Sequence, residues 1–353
     1  MSNISFVFTV LWTSIISCSV SLTWSSSINS MFTARTLIPR TTGVDTDIIE
    51  SIAAGGQMAM NTCKNVFKWD KWNCPESTFS KGLKHPANRE QAFAHAIISA
   101  GIVHSITKNC SRGQLKGCGC SPYLRGPASL KQQQHLFEND IKSYSCSDDV
   151  EFGQLMAKIV LDEVERGNDN QAYVNLHNNF VGRQIVQSTM IKKCKCHGVS
   201  GSCSLQTCWM QVAPFTKIAN MLQQRYKRAI KIDLENTSNK ILHGNSSPAS
   251  TIVERHPYIS PKRLVFLEYS PDYCMANSTT GWTGTKGRMC SRSRLEKTSL
   301  AEKRSCKTIC RSCGHRVRKH KKQIEVMCKC SFKWCCEVQC DTCTKTVEEY
   351  FCE

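Results

Sequence analysis

Residues 263–353 hold twelve cysteines and few long apolar runs. A stretch like that cannot bury a large core, so cross-links must hold it together. The chain has 353 residues and 23 cysteines in all. Cys18 lies in an apolar run, Ile4 to Val20, that ends in the small residues Ser17, Ser19 and Ser21. This reads as a secretory signal over 1–21, although no Lys or Arg precedes the run. A signal anchor is the alternative, but about 17 residues with Ser and Thr among them are short for a span. Removing the signal leaves 22 cysteines, ten before residue 230 and twelve after residue 262. Both counts are even, so each part can close its own bridges, and a dense even set in an exported chain indicates disulfides.

The net charge is +18, which favours a polyanionic partner. Export makes nucleic acid a poor candidate and a sulfated extracellular glycan a good one. The run Lys303, Arg304, Lys307, Arg311, Arg316, Arg318, Lys319, His320, Lys321, Lys322 is the candidate glycan patch, weighed against a merely solvated basic face. Four sequons, at Asn109, Asn236, Asn245 and Asn277, fit a secreted glycoprotein.

The expected fold class is α+β. A helical N-terminal domain over 22–229 carries disulfide-stapled hairpins. A linker over 230–262, rich in Asn, Ser and Pro and free of cysteine, leads to a cysteine-rich domain of β-fingers over 263–353. Helical spacing runs from Asp47 to Phe67, with Gly55-Gly56 as a weak point. Asn88 with Gln91 caps a helix that is apolar nearly all round, so it should be central and buried. Asp148 or Asp149 starts the next, with a stripe of Phe152, Leu155, Met156, Ile159, Val160 and Val164 and an end at Gly167. Asp162, Glu163 and Glu165 read as its solvated face, with metal binding the lesser reading. Further helices are expected over about 171–191 and 212–229 from their apolar spacing. Leu264–Tyr269 and Ile324–Trp334 read as strands. Trp69 and Trp72 read as core packing beneath a bridge, and His95 and His104 as satisfied helix histidines.

Cys194-Lys-Cys-His-Gly-Val-Ser-Gly-Ser-Cys-Ser-Leu-Gln-Thr-Cys208 is the most ordered motif. Its cysteines are nested. Pairing Cys196 with Cys203 would close a tight ring, and pairing Cys194 with Cys208 would clamp a loop around it. A bridge closing a loop of about 15 residues is worth roughly 3 kcal/mol in the chain-entropy account. Cys194 and Cys196 share one face of an extended strand. Gly198 and Gly201 are expected to supply positive φ for the reversal. Ser200 then stands at the apex, with Ser202 a second hydroxyl candidate.

Other chemistries fit less well. Cys310–Cys313, Cys340–Cys343 and Cys194-Lys-Cys-His197 imitate zinc ligands, but the oxidising compartment favours disulfides. Gly198-Val-Ser200-Gly-Ser202 lacks the last glycine of a nucleophile elbow, and His197 is too near in sequence to serve as its base. A secreted serine hydrolase using Ser200 is the alternative; a non-enzymatic secreted ligand is the favoured reading.

Taken together, Cys194–Cys203 with Thr207-Cys-Trp209, Phe67-Lys-Trp-Asp-Lys-Trp-Asn-Cys-Pro75 and Cys328-Lys-Cys-Ser-Phe-Lys-Trp-Cys-Cys336 resemble the Wnt family of secreted signalling proteins. Cys310-Arg-Ser-Cys-Gly314 replaces the more common vicinal Cys-Cys-Gly-Arg-Gly and, with the Phe-Lys-Trp motif, is similar to the type-8 branch. The resemblance implies a palmitoleoyl ester on Ser200, added by Porcupine; no cofactor and no metal are expected beside it. It implies Wntless as carrier, the Frizzled cysteine-rich domain as receptor, co-receptors of the low-density-lipoprotein-receptor-related class, and output through β-catenin in development and cell-fate choice; heparan sulfate proteoglycans are the partner expected of the basic patch. A second receptor contact would be the finger tip Phe332, Lys333, Trp334, Cys335, Cys336, Glu337, Val338. The pairing it implies is Cys63–Cys74, Cys110–Cys118, Cys120–Cys146, Cys194–Cys208 and Cys196–Cys203 in the first domain. In the second it is Cys274–Cys313, Cys290–Cys306, Cys310–Cys352, Cys328–Cys343, Cys330–Cys340 and Cys335–Cys336.

Overall fold

The computed structural model describes residues 45–79, 86–121, 142–144, 146–165, 169–232, 259–293, 295, 296 and 298–353. The expected signal, Gly167, Asn236, Asn245 and most of the expected linker lie outside them. The fold is α+β, as expected, and divides into two compact units: Met1–Cys63 with Thr78–Ser270, and Lys64–Ser77 with Pro271–Glu353.

In chain order the first unit contains α1 (Thr46–Val66) as far as Cys63, α2 (Arg89–Ser111), β1 (Cys120–Ser121), β2 (Lys142–Tyr144), β3 (Ser147–Asp148), α3 (Val150–Asp162) and α4 (Asn170–Ser188). The hairpin strands β4 (Ile191–Cys196) and β5 (Gln206–Gln211) follow, then α5 (Phe215–Lys227), β6 (Ile230–Lys231) and β7 (Val265–Phe266). The helices start where short acceptor side chains cap them. Asn88 Oδ1 accepts from Gln91 N at 2.9 Å, Asp149 Oδ1 from Phe152 N at 3.1 Å, and Asp169 Oδ1 from Ala172 N at 2.7 Å. α2 is the central element, with Phe93, Ile97, Ile102, Val103 and Ile106 fully buried against α3, α4 and α5. α1 runs unbroken through Gly55-Gly56. Rather than a weak point, Gly55 is where α1 touches α2: a Cβ on Gly101 would lie 2.4 Å from the Gly55 carbonyl oxygen.

Three expectations change here. α3 ends at Asp162, well before Gly167, and it buries Val150, Gly153, Ala157 and Val160. Its larger apolar residues Leu155 and Ile159 are exposed, as is Val164 beyond its end, because the small residues are the ones that fit close against α2. Asp162 and Glu165 are not a solvated face. Asp162 accepts a bidentate pair from Arg183 at 2.9 and 3.0 Å, and Glu165 accepts from Asn175 at 3.0 Å and lies 3.8 Å from His95. Burial raises the pKa of both carboxyls.

The unit boundary also moves. Ile230–Lys231 pairs in parallel with Val265–Phe266, and Ile230, Ile232, Ile259 and Leu267 pack on Val174 and Val265. The chain through Ser270 therefore belongs with the helices, and 263 is not where the second unit begins. Lys64–Ser77 joins the second unit instead, where Trp69 packs against its core and the Arg288 guanidinium donates to the carbonyls of Lys68, Asp70 and Lys71.

The second unit adds β8 (Met289–Cys290), α6 (Leu300–Ser305) with tighter and wider turns running on to Cys313, and the long ribbon β9 (Val317–Lys333) and β10 (Glu337–Cys352). Its buried cluster is Cys290, Cys306, Ile309, Cys310 and Cys352, four half-cystines and one isoleucine. The bridges Cys274–Cys313, Cys290–Cys306 and Cys310–Cys352 stand in for the apolar volume that the sequence does not provide.

Candidate functional site

β4 and β5 form an antiparallel hairpin with Cys194 directly opposite Cys208, and β2 adds in parallel to the outer side of β5. The hairpin is rooted through side chains of neighbouring elements. Met210 N donates to Ser147 Oγ at 3.0 Å, and Val212 N donates to Asp148 Oδ2 at 2.8 Å. The buried Asp148 carboxylate also takes Lys108 Nζ at 3.0 Å. His104 Nε2 sits 3.1 Å from the Ala213 carbonyl, just past the strand. Burial lowers the His104 pKa, so the ring is neutral and donates there. Asp148, a possible helix start by its sequence, anchors the hairpin instead; no local pattern signals that role, because it depends on a contact between residues 64 positions apart.

Both nested pairings are formed. Cys194–Cys208 spans 4.1 Å between Cα atoms and Cys196–Cys203 spans 4.6 Å. Above them His197 N donates to Leu205 O at 2.7 Å, Gly198 N to Ser202 O at 2.9 Å and Gly201 N to Gly198 O at 3.0 Å. The positive-φ residues are Ser200 (57°) and Gly201 (78°), while Gly198 has φ −68°. Gly198 is thus required for room: a Cβ there would lie 2.0 Å from Ser202 Oγ. Ser200 itself takes the left-handed conformation, which costs a non-glycine residue roughly 1–2 kcal/mol. A strained, exposed residue at a braced apex points to function. The two hydroxyls also differ. Ser202 Oγ is 3.1 Å from Ser204 Oγ, whereas no hydrogen bond engages Ser200 Oγ among the described residues. Val199 beside it is 90% exposed.

The second exposed tip is the end of the β9–β10 ribbon. Lys333 pairs with Glu337, leaving Trp334, Cys335 and Cys336 as a three-residue turn. Trp334 is 96% exposed, Phe332 68% and Val338 62%. Cys328–Cys343 and Cys330–Cys340 lace the strands together, and the register shifts between Gln339 and Asp341, where Lys329 has φ 47°. The expected Cys335–Cys336 bridge is not formed: both thiols are free and exposed. Successive left-handed residues (φ 79° and 85°) close the turn without it. The described bridges otherwise join Cys110–Cys118 and Cys120–Cys146, and Cys63 and Cys74 are both disulfide-bonded.

The remaining candidate residues are scattered. Asn277 is exposed, with Oδ1 accepting from Thr279 N and Oγ1. Asn109 is half-buried, and its amide donates to Ser51 Oγ at 2.9 Å. The basic run is divided between two elements. Lys303, Arg304 and Lys307 lie on or just after α6, whereas Arg318, Lys319, Lys321 and Lys322 lie on β9 beyond Arg316. Among the described residues no cluster of His, Cys, Asp and Glu is arranged to hold a metal ion, and no helix is long and apolar enough to cross a membrane.

A helical unit that braces one exposed hydroxyl, and a cystine-held unit that extends one exposed aromatic tip, define a disulfide-braced ligand. The chain belongs to the Wnt family of signalling ligands, whose family profile matches residues 38–353. Its relatives include Wnt-8b of Danio rerio, 45% identical over 308 residues that cover 86% of this chain and 82% of that protein. Wnt-8b of Mus musculus is 43% identical over 305 residues (86% and 83%), and Wnt-8 of Xenopus laevis is 41% identical over 307 (86% and 82%). The structure is also similar to a chain solved in human WLS in complex with WNT8A, with TM-score 0.63 and 36% identity, covering 92% of this chain and 99% of that one. The resemblance to the type-8 branch drawn from Cys310–Gly314 and the Phe-Lys-Trp motif agrees with these relatives.

Proposed function

We propose that this chain is a secreted, non-enzymatic ligand that binds the cysteine-rich domain of a Frizzled receptor through two tips. One is a palmitoleoyl chain esterified to Ser200 by Porcupine; the other is the finger end, Phe332 to Val338. The observation that carries the reading is Ser200: exposed, left-handed, free of hydrogen bonds and held out by two nested bridges. A small unengaged hydroxyl on a rigid stalk suits an acyltransferase as substrate and a receptor groove as target. Rigidity lowers the ordering cost of binding. At about 0.8 kcal/mol per buried methylene, the acyl chain offers on the order of 10 kcal/mol. The exposed Trp334 suits the anchor of the second contact.

Export with Wntless fits an acylated chain, which needs its lipid shielded in transit, and the similar WNT8A chain was solved in complex with WLS. Co-receptors of the low-density-lipoprotein-receptor-related class, heparan sulfate proteoglycans in the matrix and output through β-catenin complete the proposal. The test is Ser200→Ala in full-length secreted protein. We expect an unchanged disulfide map and circular dichroism, with Frizzled cysteine-rich-domain binding reduced about 100-fold or more. Ser202→Ala should bind as wild type. Full binding by Ser200→Ala would overturn the reading.

A further inference from the structure

The second unit has a pocket of about 580 Å³ lined by Lys71, Arg304, Lys307, Thr308 and Ser312. We infer that this pocket, rather than the basic run on β9, is where the protein seats a sulfo group of a sulfated glycan. The inference deepens the proteoglycan reading above and rests on it.

Three cations and two hydroxyl residues line the pocket, and no acid does. The helical turns from Leu300 to Cys313 bury Ser305, Cys306, Ile309 and Cys310 on one side. The other side presents Arg304, Lys307, Thr308 and Ser312 to the pocket. Lys71 comes from a distant part of the chain. Its backbone is pinned because Arg288 donates to the carbonyls of Lys68, Asp70 and Lys71. Burial lowers the Arg288 pKa to about 10, which leaves the guanidinium charged at neutral pH. Among the described residues, Lys71, Arg304 and Lys307 have no ion-pair partner, so their charge is available to a ligand.

The β9 cations differ in this respect. Arg318 pairs with Glu353 and Lys319 with Glu348, while His320 lies 3.4 Å from Glu353. Lys321 stands across from Glu348 in the strand register. Glu348 on β10 and Glu353 just beyond it already pair part of that run, so its density in the sequence overstates its attraction for a polyanion. The Ser312 hydroxyl donates to the Thr308 carbonyl at 2.6 Å, so Thr308 Oγ1 is the hydroxyl beside the cations that suits a compact sulfo group, and no exposed large apolar residue lines the pocket to enter a bilayer.

The test is elution and equilibrium binding of full-length protein on heparin, on fully desulfated heparin, and on phosphatidylserine vesicles as the competing anionic source. The Lys71→Gln/Arg304→Gln/Lys307→Gln variant should bind heparin at least tenfold more weakly. It should also reduce the slope of log affinity against log salt by about three. Thr308→Val, which changes no charge, should weaken heparin binding several-fold, which a merely basic face would not show. Lys321→Gln/Lys322→Gln should have the smaller effect. If the β9 variant loses binding and the pocket variants do not, this inference is overturned while the glycan reading stands. No binding of wild type to heparin at physiological salt would remove the glycan reading itself. Equal binding to desulfated heparin, or a preference for vesicles, would overturn the sulfo assignment.

Discussion

The two presented tips are built by opposite means. The Ser200 hairpin is short, belongs to a three-stranded sheet and is rooted by Ser147, Asp148 and His104 in a unit with a large apolar core. The finger is a long two-stranded ribbon whose side chains are mostly exposed, standing on a core of half-cystines. An isolated two-stranded hairpin is marginal in water; both tips carry two bridges, but the finger has little besides its lacing, whereas the hairpin is also rooted in a packed unit. Each construction suits its tip. The hairpin must hold one hydroxyl in a strained conformation, while the finger must carry an exposed indole away from any core.

This contrast can be broken most forcefully with reductant. Mild dithiothreitol should expose 271–353 to protease while the α2–α4–α5 core of the first unit stays resistant. Deleting Cys310–Cys352 alone should cost that unit about 2–5 kcal/mol. Equal protease sensitivity of the two units would erase the distinction. In the first unit, Ile102→Ala should cost about 2–5 kcal/mol through a cavity beneath α2, measured by urea denaturation, and should leave the bridges of the second unit formed. Gly198→Ala should cost about 1–3 kcal/mol because its Cβ would meet Ser202, and should lower acylation of the hairpin more than it lowers stability. Its counterpart Gly201→Ala meets no atom and should cost less, from backbone strain alone.

A smaller effect concerns pH. His104 is buried neutral, with its folded pKa below the ordinary 6.5. Its contribution is complete above about pH 6.5 and is lost as pH falls toward its lowered folded value, because the unfolded chain then binds the proton first. His104→Gln should flatten that part of the stability–pH curve. Asp162 and Glu165, with raised pKa values, act in the opposite direction, since protonation in the folded state relieves their burial. The smallest stability effect is expected at the finger: Trp334→Ala should change unfolding by less than about 0.5 kcal/mol yet weaken receptor binding by about 2 kcal/mol, roughly 30-fold.

What the sequence made legible was local. Nested cysteines announced the stapled hairpin because strand periodicity and loop closure need no distant partner. Asn88, Asp149 and the apolar body of α2 announced their helices for the same reason. Non-local facts were hidden. Nothing near Trp69 shows that 64–77 packs with the last part of the chain, or that Lys71 faces Arg304 and Lys307. The α3 stripe misled because size, not hydrophobicity, decides which face can approach α2 closely. At Gly198 the sequence does not separate a close approach from a positive φ, since both ask for glycine. The free Cys335 and Cys336 show that two left-handed residues can close the ribbon without a bond between neighbours.

What Ser200 carries decides how this ligand engages its receptor. Intact-mass and peptide mass spectrometry of the secreted, signalling-competent protein tests it directly. The predicted result is one palmitoleoyl ester, on the peptide containing Ser200 and released by hydroxylamine, with Ser202 unmodified. An unmodified Ser200 in efficiently secreted, fully active protein would contradict it.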